Sequence, residues 1–345
     1  MSSGRAIAVV LVVCVTGILQ SVSSAESVSF TEQLSGSPFA SSGGNFSLSS
    51  ATGLSPDTYG QFSWDSSTAS KYAGDPVGSL KVVYNSSKPA VRLERPLGTT
   101  VGMDRDFSLG ARMTIRSSGL VAPDTDYFQI TFALASHALT GGNRAGSMTT
   151  SADVYSQIEF AYFPNVAFWG GPTLQVNAFG AKLPGSSTTP FDNFASPDFN
   201  EGDLGSNSSG QIKALPLNTP LDIDISYKAA TQVITLTVSR VESNGSLTQL
   251  MTSDTGVIDI NLSGAEHSSG SFGSNYFDKT YPFSMDSLVI SSYFDYWAIG
   301  SPSLYANVDY DQFRFEVLES VPEPMSLLLV GAGALVLLRR RQGRG

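Results

Sequence analysis

From Glu26 to about Ser320 the chain repeats one pattern: a short β-branched or aromatic run bounded by Gly, Pro, Ser, Asn or Asp. Phe107 to Arg116 is the clearest case, because Phe107, Leu109, Ala111, Met113 and Ile115 occupy alternate positions. A period of two places them on one side of a half-buried strand. The same reading predicts strands at Ser79–Tyr84, Ala90–Glu94, Tyr127–Ala135, Ser156–Phe163, Thr173–Phe179, Leu221–Tyr227, Val233–Val241, Ser287–Ser292 and Asp311–Leu318. No segment here carries the pattern of a long amphipathic helix, and no period of about 20 to 50 residues recurs. Strands without helices between them predict a sandwich or barrel, not a parallel α/β sheet.

Two stretches interrupt the strands. Gly180–Gln211 is dense in Pro, Ser, Gly, Asn and Asp, and Gly264–Asp286 is similar but aromatic. Too few strands follow either one to build a second sandwich. Both are therefore read as long loops within one all-β, β-sandwich domain spanning residues 26–320.

Three groups of residues carry a resemblance. Gly78-Ser79-Leu80-Lys81-Val82, followed by Phe107-Ser108-Leu109 and Arg112-Met113-Thr114-Ile115, resembles the early strands of concanavalin A-like jelly rolls, the domains of lectins and glucanases. Ser156-Gln157-Ile158-Glu159-Phe160 resembles the central strand lining their concave face, and Asn307 to Phe315 resembles the closing strand. The resemblance implies a jelly roll and carbohydrate as the ligand class.

Composition moves the picture outside the cell. Charged residues are 14% of the chain, well below the roughly 25% of an average soluble protein. Arg5, the apolar stretch Ala6–Leu19 and the small residues Ser23-Ser24-Ala25 read as a secretory signal (residues 1–25), cleaved after Ala25 by signal peptidase. An uncleaved anchor is the alternative, although the stretch is short for a span of about 20 residues. Cys14 is the only cysteine. Val13 stands before it where lipoprotein cleavage wants a small residue, and its removal with the signal leaves no disulfide, thiol nucleophile or thiolate metal site.

Residues 321–345 read Val321-Pro322-Glu323-Pro324, an uncharged apolar run from Met325 to Leu338, then Arg339-Arg340-Arg341. The run is short for a hydrocarbon core of about 30 Å, unless the segment extends through Pro324 and the arginines snorkel. The arginines predict a cytoplasmic C-terminus, with everything before them outside. These three parts in order resemble the PEP-CTERM sorting signal. It implies recognition of Pro322, Glu323 and Pro324 by a membrane protease of the exosortase type, after transient insertion in the inner membrane. The product would be released to the cell surface or extracellular matrix. An ordinary C-terminal transmembrane anchor is the alternative.

Without the two ends, basic residues fall from 20 to 15 and acidic residues from 30 to 29, leaving the domain near −14. Nucleic acid and anionic membrane are poor partners for such a surface, since both need Lys and Arg. Neutral glycans and divalent cations stay open.

Candidate chemistry is sparse. Retaining glycosidases use two carboxyl groups about 5 Å apart, which on one strand face calls for acids at alternate positions. Here Glu159 stands with Gln157 before it and Ala161 after it, so the pair is missing. Glu159 therefore reads as a polar residue facing solvent or a ligand groove. Asp222 and Asp224 share a face, as any solvent-facing strand would have it. His137 and His267 are the only histidines, too few for a catalytic zinc. No Gly-x-Ser-x-Gly turn or phosphate-binding loop is present. Calcium takes six to eight oxygens, and two stretches offer them: the loop with Asp192, Asp198 and Asp203, and Asp309-Tyr310-Asp311. A solvated acidic loop is the alternative for each. Trp169 and Trp297 stand where a pyranose could stack, with core packing as the alternative. The expectation is a non-catalytic surface or matrix protein with a carbohydrate-binding sandwich. A polysaccharide hydrolase or lyase, and a purely structural or adhesive protein, remain the alternatives.

Overall fold

The computed structural model describes residues 28–50, 61–85, 91–118, 129–137, 156–164, 172–181, 193–195, 214–250, 258–262, 269–270, 273–274, 277–291 and 305–318. The proposed signal, the sorting tail, Trp169, Trp297, Asp192, Asp198 and Asp203 lie outside these residues. Among the described residues, no helix is long and apolar enough to cross a membrane.

In chain order the strands are β1 (Ser29–Gln33), β2 (Ser47–Ser50), β3 (Phe62–Asp65), β4 (Ser79–Asn85), β5 (Val91–Gly102) and β6 (Asp106–Ser118). Then follow β7 (Ile130–Ala135), β8 (Gln157–Phe163), β9 (Thr173–Phe179), β10 (Phe194–Ala195), β11 (Pro220–Lys228) and β12 (Val233–Val241). The last are β13 (Leu247–Gln249), β14 (Ile258–Asn261), β15 (Ser269–Gly270), β16 (Gly273–Ser274), β17 (Ser284–Ser291) and β18 (Tyr305–Leu318).

They form two large antiparallel sheets. The first runs β13-β12-β11-β6-β18-β4-β3, with β1 also on β18 and β14 also on β12; the second runs β10-β9-β8-β7-β17-β5-β2. The chain passes between them at β1–β2–β3, β4–β5–β6–β7, β10–β11 and β14–β17–β18, so the pairs β11–β6, β6–β18, β18–β4, β7–β17, β17–β5 and β5–β2 join strands that are not consecutive in sequence. That alternation makes the fold an all-β sandwich, as the pattern of apolar runs predicts, and a jelly roll, as the resemblance implies.

Alternation decides which side of each strand is inside. Phe107, Leu109, Ala111, Met113 and Ile115 are all at most 1% exposed, and they belong to one continuous core with Ile158, Phe160 and Tyr162 of β8. Phe132 of β7 stacks on Phe160 at 5.1 Å and meets Tyr310 and Phe313 of β18 edge-on at 6.4 and 6.3 Å. The two sheets are thus cemented by aromatic pairs, which add to the area they remove from water. Within this apolar layer the Tyr84 hydroxyl donates to the Thr131 carbonyl at 3.1 Å and lies 2.8 Å from the Tyr310 hydroxyl, so neither phenol is left unpaired.

One strand breaks the period. Val308 and Tyr310 face the core, and so do Phe313, Phe315 and Val317, although Tyr310 and Phe313 are an odd number of positions apart. The ladder between β18 and β6 slips there: Tyr310 pairs with Met113 and Gln312 with Arg112, leaving Asp311 as an extra residue. A second slip leaves Arg116 as an extra residue on β6. Such bulges bend a strand and re-aim side chains, and here they bring charged groups together on the outer face of the first sheet.

Observed elements match the predicted ones closely in the middle of the chain. β9 and β12 begin and end where the alternation does, while β5 and β18 run longer than predicted. The predicted loop Gly180–Gln211 holds the short β10, and Gly264–Asp286 holds β15, β16 and the start of β17. β1, β2, β3, β13 and β14 are additions.

Candidate functional site

The outer face of the second sheet gathers polar side chains from its central strands. With Ile158, Phe160 and Tyr162 inside, alternation sends Gln157, Glu159 and Ala161 of β8 outward. Register sets Glu159 opposite Ala133 on one side and Asn177 on the other. Gln129, just before β7, reaches in from the far side. Three side-chain amides donate to one carboxylate: Gln129 Nε2 to Oε1 at 3.2 Å, Asn177 Nδ2 to Oε1 at 2.9 Å, and Gln157 Nε2 to Oε2. Beside them, Gln175 Nε2 and Asn177 Oδ1 are buried with no partner. Glu159 is 3% exposed, Gln175 3% and Asn177 4%, although this face is turned away from the first sheet. Glu159 therefore does not face open solvent; it is a buried carboxylate that accepts from three side-chain amides.

A second cluster lies toward β5. Arg92, fully buried, donates from Nη2 to Glu94 Oε2 at 2.6 Å, and His137 Nδ1 lies 2.7 Å from the other Glu94 oxygen. The His137 backbone N–H donates to Asp286 Oδ1 at 2.6 Å. Glu94 and Asp286 are the other acidic residues described on the strands of this sheet. They stand three and two strands from Glu159, about 14 and 10 Å at 4.8 Å per strand. Both are turned toward other partners. Counted from strand to strand, that spacing is wider than the roughly 5 Å of a retaining pair. Among the described residues, neither β7 nor β9, the strands flanking β8, carries an acid.

The outer face of the first sheet is built differently. Asp222 of β11 accepts from Arg112 Nε at 2.7 Å and from both terminal nitrogens of Arg314 at 2.7 and 2.8 Å. Gly110 makes room for this, because a Cβ there would lie 2.5 Å from Arg314 Nη2. Asp309 accepts from Arg116 Nε at 2.6 Å, and Asp311 pairs with Lys71 Nζ at 2.6 Å. Asp309 and Asp311, offered for calcium, are each paired with a cation in this structure. Among the described residues, no group of three His, Cys, Asp or Glu is placed to hold a metal ion. Burial, together with the charges of Asp75 and Asp309 and against the pull of Lys71, raises the Asp311 carboxyl to about 6.

No protein-family description matches the chain, and no curated protein does. Solved structures share its general outline. Lectin UEA-II complexed with galactose is 12% identical with a TM-score of 0.39, over 85% of this chain and 98% of that one. Winged bean acidic lectin complexed with methyl-α-D-galactose is 10% identical with a TM-score of 0.40, over 85% and 100%. The carbohydrate recognition domain of Emp47p is 12% identical with a TM-score of 0.39, over 85% and 95%. At that distance the likeness assigns neither a residue nor a ligand.

Gln157 beside Glu159 was legible from alternation. Gln129, Gln175 and Asn177 were not singled out, since their part depends on the register of β7 and β9 against β8. The polar residues at alternate positions of Thr173-Leu174-Gln175-Val176-Asn177 were the available signal.

Proposed function

We propose that this chain is an exported bacterial cell-surface or extracellular-matrix protein whose sandwich binds a polysaccharide without cleaving it. The observation that carries the reading is the polar ring on the outer face of the second sheet. Its carboxylate accepts from three amides, and an unused donor and an unused acceptor, Gln175 Nε2 and Asn177 Oδ1, lie beside it. Sugar hydroxyls both donate and accept, so unused groups of both kinds suit them. A lone carboxylate so far from other acids supplies orientation, not the acid and nucleophile of glycoside hydrolysis. Signal peptidase and an exosortase would process the two ends, and the membrane would hold the tail until release.

The test is a screen of the purified protein against polysaccharides, with and without calcium, for both binding and bond cleavage. Binding without cleavage, lost on Asn177→Ala, is the expected result. Absence of binding to every glycan removes the reading, and cleavage abolished by Glu159→Gln replaces it with a hydrolase or lyase. The loop with Asp192, Asp198 and Asp203 is the calcium candidate this reading keeps. A melting temperature unmoved by calcium or by a chelator removes it. For sorting, Glu323→Ala should leave unprocessed protein in the membrane, and normal release of that variant refutes the exosortase step.

A second reading has its own support. The ring is almost fully buried, so a ligand could touch it only once uncovered. A structural or adhesive matrix protein needs no such uncovering, and it predicts no soluble ligand in the same screen.

A further inference from the structure

The polar group around Glu94 lies in register with the one around Glu159. Ser47 of β2, Glu94 of β5, Val289 of β17, Ala133 of β7, Glu159 of β8 and Asn177 of β9 are paired in turn, so they form one row across the second sheet. The row is on the outer face, since Leu93, Leu288, Phe132, Ile158 and Val176 alternate with it and belong to the core. Exposure falls along it: Ser47 is exposed, Glu94 is 7% exposed and Glu159 3%. At the open end stands a further polar side chain. His137, 52% exposed, follows β7 and reaches Glu94 from there.

Glu94 acts as a brace. One oxygen takes the buried Arg92 Nη2 at 2.6 Å and the other lies 2.7 Å from His137 Nδ1. Arg92 and Glu94 already balance each other's charge, so the imidazole is not needed for that. The His137 backbone N–H donates to Asp286 Oδ1 at 2.6 Å, which fixes the residue from a second side. With Nδ1 donating to Glu94, Nε2 on the opposite edge of the ring carries a lone pair and accepts. A buried arginine and a buried carboxylate are a costly means of stabilising a half-exposed histidine. They are well suited to holding an acceptor in one orientation before a partner arrives.

We propose that His137 is the outer anchor of the polysaccharide site, its Nε2 accepting from a sugar hydroxyl, and that the bound chain runs from there along the row toward Asn177. This rests on the polysaccharide reading and adds a direction and a length to it. Glu94 stands three strands from Glu159, about 14 Å, so a single sugar unit touches one anchor and only a longer chain touches both. Between the anchors the row carries Val289 and Ala133, whose short apolar side chains suit the C–H faces of sugar rings. Because the inner part of the row is buried, the chain meets His137 first.

The test uses the full chain and sugars of glucose, galactose, mannose and N-acetylglucosamine, from single units to long oligosaccharides, with calorimetry as the readout. Affinity should rise with chain length. His137→Ala should lower the affinity for the long chains about tenfold, the loss expected for one hydrogen bond at a prepared acceptor. Its melting temperature should match that of the unaltered protein, because a half-exposed side chain carries little of the fold. A second measurement needs no variant: the His137 Nε2 resonance of the unaltered protein should move when the tightest-binding oligosaccharide saturates it. Long chains that bind His137→Ala with unchanged affinity overturn the anchor, and so does an imidazole resonance that stays still. Either result leaves the polysaccharide reading standing if Asn177→Ala still abolishes binding. Absence of binding by every sugar to the unaltered protein overturns both.

Discussion

The two outer faces of the sandwich solve the same problem with different chemistry. On the first sheet, Asp222, Asp309 and Asp311 are neutralised by guanidinium and ammonium groups carried on neighbouring strands and on the 71–75 segment. On the second, Glu159 is held by Gln129, Gln157 and Asn177, which carry no charge. A guanidinium only donates and keeps its charge at any ordinary pH, so it fixes one geometry. An amide donates and accepts, and it can reverse its ends. The first face is therefore suited to cross-linking strands, and the second to exchanging one polar partner for another.

The largest effect expected from this difference is at Asp222. Asp222→Ala strips three charge-assisted bonds from two arginines. Because those side chains are 22% and 28% exposed, water recovers part of the loss. The expected destabilisation is about 3 kcal/mol, at the low end for breaking a buried pair. Denaturant unfolding measures it, and a loss under about 1 kcal/mol would mean the network contributes little beyond ordinary surface pairs.

Next comes pH. The folded Asp311 carboxyl sits at about 6, against 3.8 unfolded, so the folded state holds a proton that the unfolded state has released. Stability from this group is complete below about pH 4 and is lost as pH rises through about 6. Two pH units at 1.36 kcal/mol each set a ceiling near 3 kcal/mol, and about 2 is expected once water enters. Asp311→Asn should flatten the unfolding free energy across that window; an unchanged slope would place the titrating group elsewhere.

A smaller effect is expected at Gly110. Gly110→Ala drives a methyl into the Arg314 guanidinium, but that group ends a flexible side chain and can shift. About 1 kcal/mol is expected, and it should vanish in an Arg314→Ala background, since the two changes act on one contact. Additive losses would show that the glycine serves the strand and not the arginine.

Much of this architecture was legible in the sequence, and the exceptions have physical causes. β6 and β12 declare themselves because one face is buried and the other is not, so period two survives in the residues. β1 and β2 do not, since Ser29–Gln33 and Ser47–Ser50 are short and polar, with one apolar residue each, Phe30 and Leu48, too few to set a period. The bulge at Asp311 was present as a break in parity between Tyr310 and Phe313, but it shows only if both are assumed to be core. Glu159 could be singled out as a lone acid from its own strand. Its cage could not, because Gln129 and Asn177 join it through register, and register depends on how distant segments pack.

The finest distinction between the faces lies in paired, shape-preserving changes at Asp222 and Glu159. Asp222→Asn turns one acceptor oxygen into a donor facing Arg112 or Arg314, and neither arginine has an acceptor to offer. Glu159→Gln creates the same conflict with an amide, but Gln129, Gln157 or Asn177 can rotate its own amide and present oxygen. The second change should therefore cost under about 1 kcal/mol, and the first about twice as much. Thermal unfolding of the two variants side by side measures the gap. If Glu159→Gln destabilises as much as Asp222→Asn, the amide ring is as rigid as the arginine network. The second face would then be a structural layer like the first, and the polysaccharide reading would lose the adaptability on which it depends.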